Sequence, residues 1–160
     1  MLDDLTVLQK RDSENTIETT ALQYMQTTQA VEIVNPGVGS AAIKNIVATG
    51  MGGSGLAAQV VQTWLGEDLK VPFEAIRDYK VPGYVDSSSL VIVSSCSGNT
   101  EEAISSLEDA RARGAQLVII AGGGKLLELA SEYNLPHVVL INEQKVQPRM
   151  LTFLQLKAMT

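Results

Sequence analysis

The chain has 160 residues, 45% hydrophobic and only 19% charged, with 12 basic against 18 acidic side chains. That length and apolar content fit one globular domain with a real core, and a charged fraction below the roughly 25% typical of soluble domains leaves room for a buried interface. A net charge of −6, with no Lys/Arg run, argues against a nucleic-acid partner but not against a small anion held by backbone N–H groups.

In chain order, residues 1–39 are polar and helix-tolerant, with Leu2, Leu5 and Leu8 three apart. Ile17, Leu22, Met25 and Val31 predict a helix from Thr16 to Ile33, stopped by the NPG at 35–37. Then an alternation begins. KNIVATG (44–50) reads as a strand and SGLAAQVVQTWL (54–65) as a helix. VPFEAI (71–76) and SLVIVSS (89–95) are the next strands, and EEAISSLEDARAR (101–113) is a helix stopped by Gly114. AQLVIIAG (115–122), KLLELASEYN (125–134) and HVVLI (137–141) read as strand, helix and strand, and QPRMLTFLQLKAM (147–159) as a last helix.

Short apolar runs alternating with helical segments predict an α/β fold with βα units. Runs such as VIV are apolar throughout, as a sheet covered on both faces requires. The expectation is a three-layer αβα sandwich with a five-stranded parallel sheet, flavodoxin-like order being one possibility. Trp64, Leu65 and Phe73 read as core, or as surface buried against an absent domain. The final apolar helix, Met150 to Leu156, ends without a polar tail and predicts a piece of a longer protein.

No apolar run approaches the ~20 residues that span a bilayer, and the acidic start MLDDLTVLQKRD is unlike a signal peptide. The lone cysteine, Cys96, cannot form an intrachain disulfide and suits a reducing compartment. A cytoplasmic protein without membrane contact is expected.

In α/β sheets ligands bind beyond the C-terminal strand ends. Three loops fall there: TGMGGSG (49–55), SSCSGNTEE (94–102) and AGGGK (121–125). Gly50, Gly52 and Gly55 satisfy a dinucleotide fingerprint, with Glu74 near the distance its acidic partner requires. Against that reading stands Ser54, a hydroxyl at the helix start that caps the helix or touches an anion. In SSCSGNTEE, Gly98 allows a tight turn, and Ser95, Ser97 and Thr100 offer hydroxyls beside helix N–H groups. A phosphate cradle and plain turn-and-cap chemistry both fit that pattern.

GMGGSG (50–55), SSCSGNTEE, AGGG (121–124) and QPR (147–149) resemble a sugar isomerase (SIS) domain. More narrowly, QPR and RDYKVP (77–82) resemble the N-terminal half of bifunctional phosphoglucose/phosphomannose isomerases. The resemblance runs from about residue 40 to the end, with Cys96 in place of the aromatic residue often found between the two serines. It implies that Gly53, Ser54, Ser95, Ser97 and Thr100 bind the phosphate of a sugar phosphate. It implies that Arg149 is catalytic, steadying an enediolate between glucose 6-phosphate or mannose 6-phosphate and fructose 6-phosphate. It further implies a missing second SIS domain carrying the base and a ring-opening histidine, a homodimer for the full-length protein, and no cofactor. On that reading residues 1–39 are an N-terminal helical segment, 40–146 the binding domain, and 147–160 the helix leading onward. The fragment alone is expected to be inactive. A non-catalytic phosphosugar sensor and a nucleotide-binding domain stand as alternatives.

Other residues carry weaker signals. His137, the only histidine, reads as a strand-edge residue and suggests no metal site. Cys96 at a helix start is a conceivable nucleophile, but no base is placed beside it. Glu101 and Glu102 read as helix-start caps, or as acids orienting the sugar or Arg149. Glu143 lies after the fifth strand, where an active-site carboxylate can sit. Arg77 reads as a solvated loop residue, or part of a subunit interface or the pocket rim.

Overall fold

The computed structural model describes residues 4–37, 42–142 and 146–160. Two short helices open the chain, α1 (Leu5–Arg11) and α2 (Thr16–Ala21), followed by a 3-10 turn at Gln23–Thr27 and a strand, β1 (Glu32–Val34). Then come β2 (Asn45–Thr49), α3 (Gly52–Leu65), β3 (Phe73–Ile76), β4 (Ser89–Ser95), α4 (Glu101–Ala112), β5 (Gln116–Ala121), α5 (Gly124–Glu132) and β6 (His137–Val139). A 3-10 turn at Pro148–Met150 precedes α6 (Thr152–Met159).

The described strands form one six-stranded sheet in the order β1-β6-β5-β4-β2-β3. The five strands expected from the sequence are β2 to β6, all mutually parallel. Their spatial order is the flavodoxin-like one. The sixth strand corrects the sequence reading, because the expected helix over Thr16–Ile33 is not continuous. Threonine hydroxyls bond back to the backbone along it: Thr20 to Thr16 O at 2.6 Å, Thr27 to Tyr24 O at 2.7 Å and Thr28 to Met25 O at 2.8 Å. Such local bonds compete with helix propagation. Beyond them, Glu32–Val34 pairs antiparallel with His137–Val139 and covers the edge that β6 would otherwise present.

The sheet separates two cores, and the two-residue strand period sorts residues between them. Val47, Val91, Val93 and Ile119 pack against Ala103, Leu107 and Ala110 of α4 and Leu126, Leu129 and Ala130 of α5. On the other face Ala48, Ile92, Ile120 and Val138 meet Ala58 of α3, Leu154 of α6 and Leu151 just before it. Between β3 and β4 an irregular segment replaces a helix and contributes buried Val81 and Val85 to the first core. It is pinned by α4: Ser106 donates to Asp78 O (2.8 Å), Val81 N–H to Asp109 (3.0 Å) and Arg113 to Pro82 O (3.1 Å).

Of the two readings of Trp64, core and surface for an absent domain, the structure overturns the first. It is 62% exposed and shares an outer face of α3 with exposed Leu56 and Val60, at helical spacing. The inner face of that helix is filled by Ala57, Ala58 and Val61 instead. Among the described residues, no helix is long and apolar enough to cross a membrane.

Candidate functional site

β2 has β3 on one side and β4 on the other, so the chain changes direction across the sheet at this point. Loops leaving the two C-terminal strand ends therefore diverge, and a crevice opens between them. α3 departs from β2 onto one face, and α4 from β4 onto the other. A cleft of about 360 Å³ lies there, within the roughly 300–1,000 Å³ of small-ligand sites.

Three segments line it: Met51–Ser54 at the start of α3, Ser95–Ser97 with Thr100 before α4, and Gln147–Arg149. All six residues singled out from the sequence, Gly53, Ser54, Ser95, Ser97, Thr100 and Arg149, are on this wall. The structure thus brings them together, along with Met51, Gly52, Gln147 and Pro148, which lay inside the quoted motifs but were given no part in binding the phosphate. Arg149 is the one charged side chain among these lining residues, and it is exposed.

The SGNT loop is internally braced. Ser95, almost fully buried, shares a 2.8 Å hydrogen bond with the Thr100 hydroxyl and accepts the Gly98 N–H at 3.1 Å. One hydroxyl proton of the Ser95–Thr100 pair is spent on their mutual bond, which leaves the other for the cleft. Ser97 Oγ accepts the Asn99 N–H at 3.2 Å and keeps its own proton to donate outward. Gly98 sits at φ +69, in the left-handed region, and a Cβ there would collide with the Gly123 carbonyl. α3 and α4 both begin at the cleft, so two helix starts bring unpaired first-turn N–H groups and positive dipole ends to one place.

The third wall is held against the first. A Cβ on Gly53 would lie 3.2 Å from the Arg149 Cα, so a bare glycine allows the two segments to touch. The Cys96 thiol donates to Pro148 O at 3.3 Å and accepts from Gln155 Nε2. Burial pushes this thiol above its ordinary pKa, partly offset by side-chain bonds with Ser54 and Gln155. A raised thiol pKa makes Cys96 a poor nucleophile at neutral pH.

The remaining residues lie elsewhere. AGGG does not line the cleft but supports the SGNT loop from behind. Gly122 N–H donates to Cys96 O (3.1 Å), Lys125 N–H to Asn99 Oδ1 (2.9 Å) and Leu126 N–H to Gly98 O (2.9 Å). Arg77 is exposed, bonds Gln59 at 2.8 Å and is absent from the cleft wall. Glu102 stands beside Tyr79 and, ahead of burial, raises that hydroxyl's pKa. His137 is buried at the start of β6, its Nδ1 2.9 Å from Leu135 O, and is paired on both sides rather than at an edge. Glu143 lies outside the described residues. Glu74, needed for dinucleotide recognition, is the second residue of edge strand β3 and accepts the Tyr84 hydroxyl. It is not among the cleft-lining residues.

Comparison with known proteins agrees with this layout. A bifunctional phosphoglucose/phosphomannose isomerase of Caldicellulosiruptor bescii is 46% identical over 90 residues, 56% of this chain and 26% of that protein. A D-glucosamine-6-phosphate 4-epimerase of Sulfolobus acidocaldarius is 37% identical over 102 residues, 63% of this chain and 31% of that protein. The match thus spans under a third of either relative. Among solved structures, the C-terminal domain of glucosamine-fructose-6-phosphate aminotransferase from Francisella tularensis superposes with a TM-score of 0.63. It shares 16% identity, covering 93% of this chain and 47% of that one, which bears on the fold alone. The SIS domain family matches residues 41–142, the stretch carrying β2 to β6 and two of the three cleft walls, and the chain belongs to that family.

Proposed function

We propose that the cleft binds the phosphate ester of a sugar phosphate. On this reading residues 40–146 are the phosphosugar-binding domain of an aldose–ketose isomerase, and 147–160 begin a helix leading to a second SIS domain. One observation carries it: two helix N-termini, the hydroxyls of Ser54, Ser95, Ser97 and Thr100, and Arg149 converge on one crevice. A dianion suits that set, because donors and dipole ends are fixed before it arrives.

The reaction assigned is interconversion of glucose 6-phosphate or mannose 6-phosphate with fructose 6-phosphate. A base takes the C2 proton and returns it to C1, while Arg149 stabilises charge on the enediolate oxygens. No carboxylate or imidazole is among the described lining residues, so the base and ring-opening group are assigned to the second domain. The chain by itself is then inactive or nearly so. The exposed stripe Leu56, Val60 and Trp64 supports a partner surface, and we assign the full-length protein to a cytoplasmic homodimer.

The lack of a base in the described cleft also favours a second reading, a non-catalytic phosphosugar sensor. Titration of isotope-labelled chain with fructose 6-phosphate tests what both readings share. Amides at 52–55 and 95–100 are expected to shift saturably; silence there at millimolar ligand sinks both. Isomerase activity on restoring a second SIS domain separates the enzyme from the sensor.

A further inference from the structure

The cleft's cation is carried by a 3-10 turn, Pro148–Met150, that breaks before α6 begins. In an unbroken helix the Leu154 N–H would donate to Met150 O. Here the amide of Gln26 stands between them. Its Nε2 donates to Met150 O at 2.6 Å, and its Oε1 accepts the Leu154 N–H at 3.2 Å. Gln26 and Leu154 are both fully buried. Gln23 Nε2 adds a second donor to Met150 O at 3.4 Å. The two carbonyls before it are also held by side chains: Pro148 O by the Cys96 thiol (3.3 Å) and Arg149 O by Thr152 Oγ1 (3.2 Å). Every carbonyl of the turn thus has a side-chain donor, and Arg149 itself lines the cleft.

We propose that Gln26 is a positioning residue for Arg149: its buried amide bridges the broken helix joint and fixes the direction from which the guanidinium enters the cleft. The N-terminal segment, outside the residues matching the family, thereby sets the geometry of the anion site. A long side chain on a loose turn would meet a bound anion only part of the time, at a cost in ordering each time it did. A side-chain amide suits the gap because it supplies one donor and one acceptor to two backbone groups that cannot reach each other. An apolar residue of the same length leaves the Leu154 N–H buried and unpaired and Met150 O with only the longer bond from Gln23.

This inference rests on the phosphosugar reading of the cleft, and the experiment separates the two. In the ligand-free chain, Gln26→Met is expected to speed hydrogen exchange at the Leu154 amide and to broaden the Arg149 amide. Amides of β4 and β5 should keep their protection, which shows the variant folded. Gln26→Glu keeps the acceptor for Leu154 and is expected to fall between the two. Unchanged exchange at Leu154 and an unbroadened Arg149 in both variants overturn the clamp, whatever the ligand does. With fructose 6-phosphate, Gln26→Met should lose about tenfold in affinity, and no further loss should follow when it is added to Arg149→Gln. Full additivity of the two losses, or wild-type affinity in Gln26→Met, refutes the positioning role. If the unsubstituted chain does not bind at all, the phosphosugar reading and a positioning role toward that ligand fall together, while the exchange data still decide the clamp.

Discussion

Two loops of small residues at neighbouring strand tips do opposite things. SSCSGNT after β4 turns its hydroxyls and helix start toward the cleft. AGGG after β5 turns away from it and lies against the back of the first loop through Cys96 O, Gly98 O and the Asn99 side chain. One loop is a wall of the cleft and the other its support. Both sit at C-terminal strand ends; position relative to the crossover between β2 and β4 separates their roles, and the hydroxyls lie in the loop at the crossover.

That contrast can be broken most forcefully where the loops touch. Gly98→Ala demands a left-handed φ of a residue with a Cβ and drives that carbon into the Gly123 carbonyl. It is expected to cost on the order of 3 kcal/mol in stability, read by urea unfolding, and to abolish phosphosugar binding. Arg149→Gln acts on the cleft wall alone: affinity for fructose 6-phosphate should fall roughly tenfold to a hundredfold by calorimetry, from loss of a charge-assisted contact. Its melting temperature should stay put, because the side chain is exposed. Asn99→Ala acts on the contact between the two loops, from the side away from the cleft. Loss of the Lys125 N–H acceptor is expected to cost about 1 kcal/mol, with little change in affinity. The smallest effect concerns Cys96, which touches both regions. With burial raising its pKa, its alkylation by iodoacetamide at about pH 8 should be slower than that of free cysteine. Bound fructose 6-phosphate should slow it further. Equal rates with and without ligand would separate the thiol from the site.

Much of this molecule was legible locally. The five parallel strands are apolar runs of three to seven residues between glycine- and helix-rich punctuation, so each announces itself within a short window. Two of the three cleft walls follow from the same logic, since ligand loops sit at strand ends, whereas Arg149, in a turn before α6, was picked out only by the resemblance to SIS domains. What escaped depended on distant partners. Glu32–Val34 became a strand only because β6 lay open to it. Trp64 left core and surface for an absent domain both open, and only the packing shows that the small residues Ala57 and Ala58 fill the inner face of α3 and leave the indole outside. The buried glutamines were invisible as well. Gln26 and Gln155 look like ordinary polar helix positions, and nothing nearby in sequence reveals that each completes a bond to a segment far along the chain, Gln26 to α6 and Gln155 to the loop after β4.

The placement of the crevice has a mechanical consequence. Its walls belong to opposite layers of the sandwich, with α3 rooted in one apolar half and α4 in the other. An anion lodged between their tips acts as a rivet through the sheet. Occupancy should therefore stiffen both halves together, raising the melting temperature as a single transition instead of protecting only the side it touches.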